Sequence, residues 1–134
     1  MKERHGKEAE LQEIGRSALA CIVEMVRDWE STDEDNGDKD SKLDIIREDP
    51  LSVQVREGWH NAGEKGEIEE FEILLSTGGP ATRIIGELNE YNEPIKATLQ
   101  AQDWFMPWTN LLDVSPEEQE ALLNYCGCFY FGEG

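Results

Sequence analysis

The sequence predicts an α+β domain: an N-terminal helix, a four-stranded antiparallel β-meander and a C-terminal helix. Three observations predict it. Apolar residues recur at spacings of three and four over residues 7–30, four later segments alternate apolar with polar residues across short turns, and Ser115-Pro116-Glu117-Glu118 opens a last helical segment. A chain of 134 residues fits one domain that buries a core without disulfides or metals. Residues 1–30 are expected as helix, 31–41 as a flexible acidic loop and 42–134 as the α+β core.

In the first helix Leu11, Ile14, Ala18, Ile22, Met25 and Trp29 form one stripe, with Glu8, Glu13, Glu24 and Arg27 mostly outward. The run Ser31 to Asp40 offers no apolar anchor and reads as a mobile loop. As an EF-hand with Gly37 at the sixth position it fails, because the closing glutamate would fall on Leu43. Leu43, Ile45 and Ile46 suggest a helical turn stopped by Asp49-Pro50.

Val53 and Val55 alternate with Gln54 and Arg56 in the first strand. In the second, Ile68 to Thr77, Phe71, Ile73 and Leu75 share one face and Glu70 and Glu72 the other. The third runs from Thr82 to Leu88, and in the fourth Ile95, Ala97 and Leu99 alternate with Lys96, Thr98 and Gln100. Ile95, Ala97, Leu99, Phe71, Ile73, Val53 and Val55 are expected beneath one or other helix. Asp103 to Trp108 forms an aromatic loop. Ser115 then supplies an N-cap, Pro116 the first helical position and Glu118 a capping-box carboxylate for a helix over 116–126.

Charge is the most informative quantity. Thirty acidic residues against twelve basic give a net charge of −18, spread along the chain rather than gathered in a tail. Solubility needs far less, and self-repulsion of this size opposes compaction. Such a chain repels DNA, RNA and anionic membranes, and favours a basic protein partner. No apolar run is long enough for a signal peptide or a membrane span, so the cytoplasm of whichever cell makes the protein, with thiols reduced, is the expected compartment. Cys21, Cys126 and Cys128 make an odd count with no disulfide framework or zinc spacing.

Catalysis finds little in the chain. His5 and His60 are the two histidines, no serine sits in a nucleophile elbow, and Gly78-Gly79-Pro80 lacks the lysine and hydroxyl of a phosphate loop. The expectation is a non-enzyme with no metal and no cofactor. Two candidate contact surfaces stand out. Glu67, Glu69, Glu70 and Glu72 on the second strand, with Glu87 and Glu90 on the next hairpin, would lie roughly 5–7 Å apart across an antiparallel pair. That matches the separation of successive phosphates along one strand, about 7 Å, so this acidic face could imitate a nucleic acid. The alternative contact is the aromatic loop through Trp104 and Trp108, whose apolar surface is either folded under the sheet or offered to a partner.

Asp49-Pro50-Leu51-Ser52-Val53-Gln54-Val55-Arg56-Glu57-Gly58-Trp59, Glu70-Phe71-Glu72-Ile73-Leu74-Leu75, Thr77-Gly78-Gly79-Pro80-Ala81 and Ile85-Gly86-Glu87-Leu88 carry a family resemblance. So do Gln102-Asp103-Trp104, Pro107-Trp108-Thr109 and Phe129-Tyr130-Phe131-Gly132-Glu133. Through these motifs the last two thirds of the chain resembles a family of small acidic proteins encoded by phages and prophages, some of them anti-CRISPR or other anti-defence inhibitors. The resemblance transfers no catalytic residue. It implies an inhibitor, monomer or homodimer, that binds a basic nucleic-acid-binding protein of the bacterial host, a CRISPR-Cas subunit or another defence protein, and so blocks target DNA binding. The alternative is a phage regulatory or adaptor module without mimicry.

Overall fold

The computed structural model describes residues 2–32, 38–78, 80–103 and 106–131. The described residues form three helices and a five-stranded sheet, in the order α1 (Lys2–Ser31), α2 (Asp38–Glu48), β1 (Ser52–Glu57), β2 (Ile68–Ser76), β3 (Ala81–Leu88), β4 (Pro94–Gln102), β5 (Thr109–Asn110) and α3 (Pro116–Cys126); α1 and α3 pack on one face of the sheet and α2 packs on α1. Every neighbouring pair is antiparallel and the spatial order is the chain order, β1-β2-β3-β4-β5. The meander is therefore present with a fifth strand added. β5 is two residues long, too short to show alternation, and it pairs Gln100 with Asn110 and Ala101 with Thr109.

α1 buries Leu11, Leu19, Ile22 and Val26 along one stripe that packs on β4 and α3. Gly15 lies in the same stripe, where a Cβ would already be 3.1 Å from Leu111 Cδ1. Polar side chains tie the helix to the β5–α3 segment. Gln12 donates to the Asn110 carbonyl at 3.1 Å and accepts from the Leu112 amide at 2.9 Å. Arg16 donates to the carbonyls of Leu112 and Asp113 and to both Glu118 oxygens, each of the latter at 3.1 Å. Asp113 adopts a left-handed φ of 57° beside this contact.

The second helix corrects the sequence reading. The flexible acidic loop, expected over 31–41, gives way from Asp38 onward to a helix of eleven residues. Asp38 and Asp40 sit in its first turn, where carboxylates complement the helix dipole, so acids that read as a solvated loop serve a helix start. Ile46 is fully buried, and Lys39 Nζ lies 5.6 Å from the Trp29 ring centre on α1. Residues 33–37 of the expected loop lie outside the described residues.

Phe71, Ile73, Ala97 and Leu99 are buried as expected, but Val53 is only partly buried and Val55 and Ile95 are exposed. The helices explain the difference. α1 and α3 lie over β4 and the adjoining part of β3, and β1 is the sheet's far edge. On β4 the cover reaches Ala97, whose carbonyl accepts from Gln119 Nε2 at 2.9 Å, and stops before Ile95. Phe131 closes the β2 side of the core with its ring centre 4.8 Å from that of Phe71.

α3 begins with the capping box that the sequence shows. Ser115 Oγ accepts from the Glu118 amide at 3.1 Å, and the Glu118 carboxylate accepts from the Ser115 amide at 2.9 Å. The Ser115 amide, with Arg16, holds the Glu118 carboxyl below the usual carboxylate range. A pKa depressed in the folded state contributes stability at neutral pH that is lost as pH falls through that lowered value. Glu118→Gln should therefore lower the melting temperature at pH 7, and its difference from the parent should shrink on acidification. Melting curves across the acid range check this, and a difference independent of pH would contradict it.

Candidate functional site

The sheet face opposite the helices carries three of the six glutamates read from the sequence, and each faces a cation. Arg56, Glu70, Glu87 and Lys96 form one row across four strands. Arg56 pairs with Glu70, and Lys96 Nζ stands 3.8 Å from Glu87. In the neighbouring rows Arg83 donates to Glu72 at 2.7 Å and to Gln100 Oε1 at 2.8 Å. The two carboxylates directly opposite one another, Glu70 and Glu87, would repel if unaccompanied, and the flanking cations offset that repulsion. Three acids and three bases leave the row and its neighbours neutral. The expected acidic stripe along the strands is not what the register builds.

Trp108 also belongs to this arrangement. Its ring lies under the Arg83 guanidinium, 4.1 Å from ring centre to Cζ, a cation–π contact within the molecule. The side chain is partly buried and holds Arg83 in the orientation that reaches Glu72 and Gln100. Trp104 lies outside the described residues.

Glu67, Glu69 and Glu90 lie elsewhere, at the end of the sheet where β1 and β3 finish and β2 and β4 begin. A groove of about 600 Å³ opens there, lined by Glu67, Glu69, Glu87 and Glu90 with Ile68 and Ile95 among its other residues. Glu69 is exposed at the start of β2, where the register slips so that Arg56 pairs with Glu70 and Glu57 with Ile68, leaving Glu69 between the two pairs. Its carboxylate packs on the Gly58 backbone, where a Cβ would meet it at 2.1 Å, so glycine is what admits it. Glu90 is presented by a tight turn. Asn89 Oδ1 accepts from the amides of Tyr91 at 2.9 Å and Glu93 at 3.0 Å, and Asn92 takes a left-handed φ of 60°. That turn leaves Glu90, Tyr91 and Glu93 pointing into solvent.

Residues 57–69 and 89–93 together hold Glu57, Glu64, Glu67, Glu69, Glu90 and Glu93 against Lys65 alone, a net charge of −5. Apolar side chains stand among these acids. Trp59 is wholly exposed, Tyr91 is 73% exposed and Ile95 59%. Below Trp59, His60 Nδ1 lies 3.0 Å from the Gly58 carbonyl, and His60 and Glu57 crowd Gly66 so closely that a Cβ there would come within 2.5 Å of the imidazole. The structure thus divides the six predicted glutamates into a neutralised set, Glu70, Glu72 and Glu87, and an uncompensated end. To that end it adds Trp59, Tyr91, Ile95, Glu57, Glu64 and Glu93. The signal for these in the sequence was position: each falls in or beside a turn joining consecutive strands at this one end.

Cys126 and Cys128 are buried, and burial pushes both thiols above the usual cysteine range, which disfavours the thiolate needed for nucleophilic attack or metal binding. Tyr125 is likewise enclosed; its hydroxyl donates to Asp49 at 2.8 Å, and burial followed by that carboxylate raises its pKa. Among the described residues no three of His, Cys, Asp and Glu come together closely enough to hold a metal ion, and no helix is long and apolar enough to cross a membrane. No family model, no curated protein and no solved structure matches this chain.

Proposed function

We propose that the protein is a non-catalytic binding protein that docks the acidic end of its sheet on a basic, nucleic-acid-handling surface of a partner. In the setting that the sequence resemblance implies, that partner is a subunit of a bacterial defence complex such as a CRISPR effector, and docking keeps target DNA out. The observation that carries the reading is the contrast between two parts of one sheet. The face opposite the helices is neutralised pair by pair, while six carboxylates at the sheet end meet one lysine. Charge so placed steers a cationic partner from a distance, and Trp59 and Tyr91 supply apolar area and ring faces for arginine or lysine on contact.

The neutral face opposite the helices favours a second reading, an adaptor that recognises a basic segment without imitating DNA, because it interrupts any phosphate-like track along the strands. Displacement separates the two. Added to a purified CRISPR effector complex loaded with labelled target DNA, the inhibitor releases the DNA at stoichiometric concentrations. Binding to the complex with the DNA retained would support the adaptor and overturn inhibition by occlusion.

A further inference from the structure

We propose that β1 is the self-association edge of the protein, pairing antiparallel with β1 of a second copy to join two sheets into one of ten strands. This surface is separate from the acidic end and does not rest on the function proposed above.

β1 lies at the margin of the sheet, and among the described residues no strand pairs with its outer side. Soluble proteins usually guard such an edge with proline, lysine or an inward-pointing charge. β1, Ser52–Glu57, has no proline or lysine; its two charges, Arg56 and Glu57, stand together at its end, so Ser52 to Val55 is uncharged and its helix-side row is apolar. Leu51, Val53 and Val55 share that row; Leu51 is 61% exposed and Val55 42%. The helices α1 and α3 lie over β4, so the row has no cover at its outer margin. Val55 alternates as a core residue does but meets no helix, and a partner strand would complete its surroundings.

A second copy fits because the segment 51–57 is self-complementary. Centred on Gln54, an antiparallel pairing sets Val53 opposite the partner's Val55 and Val55 opposite the partner's Val53. Gln54 then faces its own equivalent, Arg56 faces serine and Glu57 faces leucine. No like charges oppose each other anywhere in this register, which is the condition that cross-strand pairing requires. It is a two-fold contact in which the same patch serves both subunits. Each chain carries −18, so long-range repulsion opposes the dimer and salt should strengthen it. Binding of a basic partner at the acidic end should respond to salt in the opposite direction.

Sedimentation at low and at about 0.5 M salt, where screening is nearly complete, should show mass moving from monomer towards dimer as salt rises. In a Cys21→Ser background, Gln54→Cys should give a covalent dimer on mild oxidation. Opposed residues in an antiparallel pair lie about 4.5–5.5 Å apart at Cα, within the disulfide range. Thr98→Cys, on the same sheet face in interior strand β4, should not cross-link. Val55→Lys, at an exposed position, should weaken self-association about tenfold, equivalent to about 1.4 kcal/mol, with its melting temperature retained. A monomeric mass at every salt and protein concentration overturns the proposal. So does a dimer in which Gln54→Cys cross-links no better than Thr98→Cys.

Discussion

Gly86→Ala is expected to destabilise the domain by about 3 kcal/mol or more, the upper end of what added core volume costs. β3 and β4 approach so closely at this position that a Cβ would stand 2.0 Å from the Lys96 carbonyl oxygen. It would also meet Phe71 Cζ at 2.5 Å, because Phe71 on β2 is paired with Gly86 and lays its ring over the space that the glycine leaves. Phe71→Ala should cost about 3–5 kcal/mol by leaving a cavity against Phe131. Both values are large beside a total stability of about 5–15 kcal/mol. The double variant should fall short of additivity, since removing the ring relieves one of the two clashes and leaves the carbonyl in place. Urea denaturation of the four proteins measures this; a Gly86→Ala protein that melts within about a degree of the parent would mean that this packing is wrong, since roughly 3–5 °C is expected per kcal/mol at this size.

Most of the fold was legible because local signals agreed with the tertiary outcome. Ser115-Pro116 started α3 where the capping box forms, and the alternation of Phe71 and Ile73, then of Ala97 and Leu99, identified the buried face of two strands. Alternation assigns a side chain to a face and says nothing of whether a helix reaches that far along it. Val55 and Ile95 carry the right period and remain exposed, one at the sheet's edge and one at the start of β4, beyond the helices. α2 was legible only in its second half, where Leu43, Ile45 and Ile46 suggest a helical turn; its start was hidden because Asp38 and Asp40 resemble the acidic run before them, and its anchors are buried Ile46 and partly buried Leu43. The candidate site was half legible. Spacing placed Glu70, Glu72 and Glu87 on one face, as found, but cross-strand register supplies their partners, and Arg56, Arg83 and Lys96 come from three different strands. Register likewise gathers Trp59 and Tyr91, 32 residues apart in the chain, with acids at one end of the sheet.

Reversal of the uncompensated acids is expected to have the largest effect on function. Glu67→Lys, Glu69→Lys and Glu90→Lys together change the local charge from −5 to +1 and should weaken partner binding by well over tenfold. Folding should be unharmed or improved, because Glu67 and Glu90 are exposed and self-repulsion falls. Glu8 and Glu13 lie exposed on α1, away from this end, and their reversal should change affinity little. Reversing Glu70 or Glu72 breaks an ion pair with Arg56 or Arg83, so any loss there reports a disturbed sheet as much as a lost contact. Trp59→Ala should also weaken binding, by about 2 kcal/mol if the ring is desolvated on contact, without lowering stability, since it touches solvent on all sides.

The measurement that tests the central claim most directly is release of labelled target DNA from a CRISPR effector complex by the parent and by the triple reversal variant. It is run at about 0.05 M and about 0.15 M salt, where the Debye length falls from about 14 Å to about 8 Å. The account predicts that the parent releases DNA, less effectively at the higher salt, and that the folded variant fails at both. Equal release by parent and variant, or release insensitive to salt, would contradict it and remove the acidic end of the sheet from the function.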